Sequence, residues 1–175
     1  MDTLKYYEAQ ALSNKDVLKL LDNKAKVVLY PELHKFHTID ELLHPYDAVF
    51  LLYELKPQYG HWTCLFKRGK EVEFFNSYGG IPDETLKKIP NTYKSESHQN
   101  FPYLVNLLYN SPYEIHYNEY DFQKHSPDVK TCGRWAALRL LMKDFTIDEF
   151  KHVIDLLKDY LSVSADKVVT ILTTI

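Results

Sequence analysis

The run Ala48-Val49-Phe50-Leu51-Leu52-Tyr53 constrains this chain more than any other feature. It is almost entirely apolar, and at that length it fits a strand buried on both faces and is far too short to span a membrane. Two further strand-like runs follow, His61-Trp62-Thr63-Cys64-Leu65-Phe66 and Glu71-Val72-Glu73-Phe74-Phe75, with Arg68-Gly69 between them. Two such runs around a glycine turn make a β-hairpin. A sheet therefore occupies the middle of the chain.

Helical signals flank it. Ser13 is expected to cap a short helix ending near Leu21, and residues 26–30 form a short strand stopped by Pro31. Thr38 with Glu41 three residues on, and Thr146 with Glu149, read as capping boxes for two further helices. The second carries the apolar stripe Phe150, Val153, Ile154 and Leu157. Residues 83–89 suggest a short helix, 91–100 a polar loop, 101–109 a helix, 113–117 a strand and 121–131 a loop containing Pro127. From Cys132 the spacing of Ala136, Leu138, Leu140 and Leu141 is helical, with Arg134 and Arg139 expected on its surface. The β-branched tail, 166–175, is open between helix and strand. Helices, central strands and a helical last third make an α+β fold, with a mixed or antiparallel sheet flanked by helices, in a single domain over 1–175.

Charge and cysteine content narrow the function. With 21 Lys and Arg against 24 Asp and Glu, and no long basic run, nucleic-acid binding is not favoured. Cys64 and Cys132 are the two cysteines, too few for a disulfide framework, which points to a reducing compartment. The N-terminus shows no apolar signal core, so a soluble, intracellular protein is expected.

The hairpin brings two polar side chains together. If Arg68-Gly69 is a two-residue turn, Lys67 faces Lys70 and His61 faces Asn76, with Cβ atoms about 5 Å apart. A three-residue turn with left-handed Gly69 shifts the pairing by one and leaves Asn76 less directly opposite. An imidazole that acts as a base needs an acceptor on its second nitrogen, and an Asn carbonyl supplies one without charge. Strand alternation sends Cys64 to the other face, into the core beside Trp62 and Phe66. Cys132, by contrast, stands where a polar loop becomes a helix. There the macrodipole lowers a thiol pKa, and the free first-turn N–H groups could bind an oxyanion. Gly133 would let a substrate backbone approach the sulfur, and Gln123, nine residues earlier in the loop, is a second oxyanion donor. Taken singly, each residue has an ordinary structural use. Their order along the chain is what combines them.

That order, Gly60-His61-Trp62, then Phe75-Asn76-Ser77-Tyr78-Gly79-Gly80, then Gln123, then Thr131-Cys132-Gly133-Arg134-Trp135, resembles the adenain and ubiquitin-like-protein protease superfamily of cysteine proteases. The resemblance spans about residues 47–144. It implies Cys132 as nucleophile, His61 as general base, Asn76 as orienting residue, Gln123 as oxyanion donor, and Trp62 and Gly133 against the substrate. Most members carry Asp or Glu at the position of Asn76. Their glutamine lies six or seven residues before the cysteine, a difference that Ser126-Pro127-Asp128 would absorb as an insertion. The compact chain is most similar to the virus-encoded branch. That branch implies a monomer that needs no metal or cofactor and cleaves capsid or core precursor proteins after Gly-containing sites, in host cytoplasm, viral factory and virion. An activating peptide or nucleic acid stays open. A deconjugase for ubiquitin-like modifiers and a non-catalytic protease-like binding protein are the alternatives.

Overall fold

A computed structural model describes residues 3–174. Its centre is a five-stranded mixed sheet in the order β1 (Lys26–Leu29), β2 (Ala48–Lys56), β3 (Tyr59–Arg68), β4 (Glu71–Phe75) and β5 (Glu114–Tyr117). The three middle strands pair antiparallel, while β1 joins β2 and β5 joins β4 in parallel. Helices flank the sheet: α1 (Thr3–Glu8), α2 (Asn14–Leu20), α3 (Ile39–Leu43), α4 (Asn91–Glu96), α5 (Tyr103–Tyr109), α6 (Cys132–Leu141), α7 (Ile147–Leu161) and α8 (Ala165–Leu172). The architecture is α+β.

The apolar run in β2 is divided residue by residue between two cores. Ala48, Phe50 and Leu52 join Trp62, Cys64 and Phe66 on one face, packed against Trp135 of α6, Phe150 and Ile154 of α7 and Val168 and Val169 of α8. Val49, Leu51 and Tyr53 join Leu65, Val72 and Phe74 on the other, against Ile39, Leu42 and Leu43 of α3 and Leu104, Leu107 and Leu108 of α5. Each fully buried side chain of this kind contributes roughly 1.5–3 kcal/mol, which fixes the sheet's register against slippage.

The N-caps read from sequence form, and the box is reciprocal at Thr146, whereas the Glu41 carboxylate accepts from the His37 N–H and leaves Thr38 a simple cap. Ser13 accepts from the Asp16 N–H, Thr38 from Glu41 and Thr146 from Glu149. The tail from Ala165 is a helix. Ser164 caps it, and the hydroxyls of Thr170, Thr173 and Thr174 bond the carbonyls four residues back, which reconciles β-branched residues with helical backbone.

Three expectations are corrected. Residues 91–96 are helical where a loop was expected. None of them is buried, so no apolar stripe could announce α4. Arg134 and Arg139 are buried within α6, not on its surface. Arg139 forms a bidentate pair with Glu73 of β4, with Nε–Oε1 at 2.8 Å and Nη2–Oε2 at 2.9 Å. Arg134 donates to the Thr173 carbonyl at 2.9 Å. A guanidinium is tolerated inside only with such partners, and in each case the partner comes from far along the chain.

The hairpin turn is also displaced from its expected position. Gly69 and Lys70 are the turn residues and Arg68 pairs with Glu71, with Gly69 at φ +59°. A glycine in that conformation at the first central position is the pattern of a type II′ turn, whose twist suits the flanking strands.

Candidate active site

With Cys64 paired to Phe75, the residue across from Asn76 is Thr63, not His61. The register differs from expectation by two, so strand parity is kept and Asn76 stays on the His61 face, one diagonal step away. That diagonal suffices. His61 Nε2 and Asn76 Oδ1 are 2.8 Å apart, and both residues are buried.

The surrounding bonds settle which way the proton points. Asn76 Oδ1 also accepts from the Tyr78 backbone N–H at 2.9 Å, and Asn76 Nδ2 donates to Thr85 Oγ1 at 3.4 Å. An atom that accepts from a backbone N–H is an oxygen, so the His61 contact to it must be Nε2–H donating. Nδ1 is left as the unprotonated nitrogen. Asn76 is itself clamped. Its N–H donates to Asn118 Oδ1 at 3.1 Å, and Asn118 Nδ2 donates to the Asn76 carbonyl at 2.7 Å. The His61 ring is stacked on Tyr78, with centroids 4.9 Å apart, and Tyr78 in turn on His125 at 4.3 Å. Gly60, just before the base, leaves room for β2, because a Cβ there would run into the Tyr53 carbonyl.

Cys132 opens α6 and is half-buried. No side chain caps this helix, so its first-turn N–H groups are unused by a cap. Its N-terminus is held instead by Asp166 of α8, a buried carboxylate. Asp166 Oδ1 accepts from Thr131 Oγ1 at 2.6 Å and Trp135 Nε1 at 2.9 Å, and Oδ2 from the Lys124 N–H at 2.9 Å. One side chain thus fixes the residue before Cys132 and the residue after Gln123. The sequence reading missed it. The buried Trp135, whose indole N–H needs an acceptor, was the available hint. Asp166→Ala is expected to cost about 3 kcal/mol in a urea titration, since two buried donors and the part-buried Lys124 N–H lose their acceptor. Asp166→Asn should recover only part, because its NH2 would face the Thr131 and Trp135 donors or the Lys124 N–H. Equal stability of all three chains would show that the carboxylate carries nothing.

Gln123 is buried, with Oε1 accepting from Ser77 Oγ at 2.8 Å and Nε2 donating to the Val129 carbonyl at 3.2 Å. That bond closes the loop in which Val129 N–H donates to the Ser126 carbonyl, so residues 126–128 form a turn and Gln123 returns beside the helix start. One amide proton of Nε2 remains for another acceptor.

His61, Cys132, Gln123, Trp62 and Tyr78 line one cleft of about 510 Å³. The stretch 11–15 also lines it, tied down where Trp62 Nε1 donates to the Leu12 carbonyl at 3.0 Å. Gly133 does not line the cleft. It is buried, and a Cβ there would sit 3.0 Å from Trp62 Cδ1 and 3.2 Å from Leu12 Cβ, so its glycine serves packing, not the open approach to the sulfur expected from sequence. Asn76 lies behind the ring of His61, away from the lining. Cys64 is fully buried in the core.

The electrostatics correct one further expectation. Burial pushes the Cys132 thiol up, although the N–H groups of Trp62, Gly133 and Cys132 itself favour its thiolate. Burial also pushes His61 down to about 4. The bond to Asn76 resists this, and the charges of Lys88 and His125 add to it. The helix terminus does not outweigh desolvation, so burial favours the thiol over the thiolate and the neutral imidazole over the imidazolium. Elsewhere, Glu71, Glu114 and His116 converge at the β4–β5 edge, where Arg68 already engages Glu71 at 2.9 Å; none of them lines the cleft.

Fold and site together describe an α+β protein with a thiol, an imidazole and a buried amide lining one cleft, and a second amide, Asn76, bonded to the imidazole behind it. No protein-family model matches the chain. It is 54% identical over 174 residues to the uncharacterized protein V9 of Sputnik virophage, with 99% of each chain covered, and it belongs to the same family as V9. Among solved structures it is similar to the central domain of the uncharacterized Lpg1148 protein from Legionella pneumophila (TM-score 0.42, 12% identity, 94% of each chain). It is similar also to the SUMO protease Ulp1 (TM-score 0.39, 12% identity, 94% of this chain and 76% of that one). Likenesses this distant carry no functional weight here. No helix among the described residues is long and apolar enough to cross a membrane.

Proposed function

We propose that this chain is a cysteine peptidase of the adenain-like kind, with Cys132 as nucleophile and His61 as general base. The observation that carries the reading is the fixed tautomer of His61. Its Nε2–H is committed to Asn76 Oδ1, so the basic Nδ1 is the nitrogen left for a cleft that Cys132 shares.

The chemistry follows from neutral partners. As Cys132 Sγ attacks a peptide carbonyl, its proton moves to His61 Nδ1, and the oxyanion is held by the first-turn N–H of Cys132 and the remaining Nε2 proton of Gln123. Each such donor is typically worth about 3 kcal/mol. The imidazolium then gives its proton to the leaving amine, and the C–N bond breaks to leave a thioester. Water enters, loses a proton to Nδ1 and attacks the thioester. The carboxylic acid departs and the thiol is restored. Kinship with a virophage protein directs the search for substrates toward the virus's own capsid and core precursors.

The test is exposure of the chain to a library of natural peptides, with new termini read by mass spectrometry. Wild type is expected to generate termini that share a sequence pattern and that Cys132→Ala does not produce. Identical products from both would end the reading.

Asn76→Asp probes the orienting residue. The carboxylate keeps the acceptor for Nε2–H and the Tyr78 N–H, loses the long contact to Thr85, and adds negative charge beside the imidazolium. It should raise the His61 pKa from about 4 by roughly one to three units. The base works when neutral, so the acid limb of kcat/KM against pH is expected to move to higher pH by the same amount. An unmoved limb would place Asn76 outside the working site.

A further inference from the structure

The cleft walls carry charge of one sign. Lys15 at the start of α2, Lys88 at the end of the turn Glu84–Lys88, and Lys130 two residues before Cys132 all line it, and no Asp or Glu does. The chain as a whole has more carboxylates than Lys and Arg, 24 against 21, so this lining does not reflect the average composition. All three lysines are exposed, and among the described residues none of them is in an ion pair. Lys88 lies over the Tyr78 ring at 5.2 Å, on the aromatic that stacks against the base. Three carboxylates close to the lining are engaged by other groups. Asp16 accepts from Ser13, Asp121 contacts His125 at 2.6 Å, and Asp166 is buried under Thr131 and Trp135.

We propose that the cleft selects peptides carrying Asp or Glu within a few residues of the bond to be cut, with Lys15, Lys88 and Lys130 as the charge-reading groups. This rests on the peptidase reading and names its substrate class. The lysines come from three separate segments and converge on a concave slot that also holds Leu12, Leu52, Leu55 and Trp62. Such a slot suits an extended peptide with apolar and acidic side chains; a nucleic acid would call for a basic stripe on an open face. Cations aimed into a partly desolvated groove act on substrate capture and therefore on kcat/KM.

The experiment takes a cleaved peptide and compares versions with Asp or Glu, or with Asn or Gln, at the flanking positions. Wild type is expected to favour the acidic version about tenfold in kcat/KM at low salt, less as salt rises. The ratio should fall to about one in the Lys15→Gln/Lys88→Gln/Lys130→Gln variant. The single reversal Lys88→Glu leaves Lys15 and Lys130 in the lining and should narrow the acidic preference without inverting it. A ratio near one in wild type, or an undiminished ratio in the triple variant, overturns the proposal. Fluorescence anisotropy with Cys132→Ser separates the two claims. Tighter binding of the acidic peptide, lost with the three lysines, supports charge selection even if wild type hydrolyses nothing, in which case only the peptidase reading falls. A single-stranded oligonucleotide that displaces the acidic peptide and loses its own binding in the triple variant would assign the lysines to nucleic acid and overturn the proposal.

Discussion

Replacing His61 with alanine is expected to lower peptide hydrolysis by about a thousandfold or more, and to slow iodoacetamide alkylation of Cys132 at neutral pH as well. Both effects trace to the protonation state of the resting pair. Where a cysteine already exists as thiolate beside an imidazolium, its nucleophile survives loss of the base in part. Here burial holds the Cys132 thiol up and His61 down at about 4, so the reactive anion arises only as Nδ1 takes the proton. Without His61 the thiol should behave as a desolvated cysteine, its alkylation rate rising only above the ordinary thiol range. The control is Cys64, fully buried and also pushed up by burial, which should stay inert in both chains. Rapid alkylation of Cys132 in the alanine variant would show that the base does not generate the nucleophile.

The second large effect lies at the other end of α6. Glu73→Ala is expected to destabilise the chain by roughly 3–5 kcal/mol, because it strands the fully buried Arg139 guanidinium. Arg68, with Nη1 3.8 Å from Glu73, would lose a neighbour too, though it keeps Glu71. Arg139 also closes the helix by donating to the Met142 and Phe145 carbonyls, each at 2.7 Å. Arg139→Met should cost a similar amount, because it leaves the Glu73 carboxylate buried without its two donors, while the Met142 and Phe145 carbonyls keep the Phe145 N–H and Arg68. The double variant Glu73→Leu/Arg139→Met should cost less than the two single changes together by about 2 kcal/mol. Urea midpoints at constant m-value check all three. Additive costs would mean the two charges do not depend on one another.

What could be read from the residues alone follows from where each signal resides. Caps at Ser13, Thr38 and Thr146 are local, so they were legible. The β2 run was legible because burial on both faces leaves a continuous apolar string. The meeting of His61 with Asn76 was legible through parity alone. A turn misplaced by one residue moved the register by two, and an even shift preserves the face. Asp166, Asn118 and Tyr78 gave no comparable signal. Their partners lie elsewhere in the chain or depend on ring stacking, and an acidic residue in a β-branched tail looks like a solvated one. The pKa of Cys132 was misjudged for a related reason. The helix terminus is visible in sequence, whereas the depth of burial that outweighs it depends on α2 and the stretch 11–15 closing over the cleft.

Asn76 and Asn118 exchange bonds across 42 positions, Ser77 and Gln123 across 46, and Thr131 and Asp166 across 35. The last of these cannot close before α8, which carries Asp166, has formed. A fragment that stops short of α8 would carry Cys132 and His61 but lack the carboxylate that holds Thr131, Trp135 and the Lys124 N–H, so the start of α6 would be left unanchored.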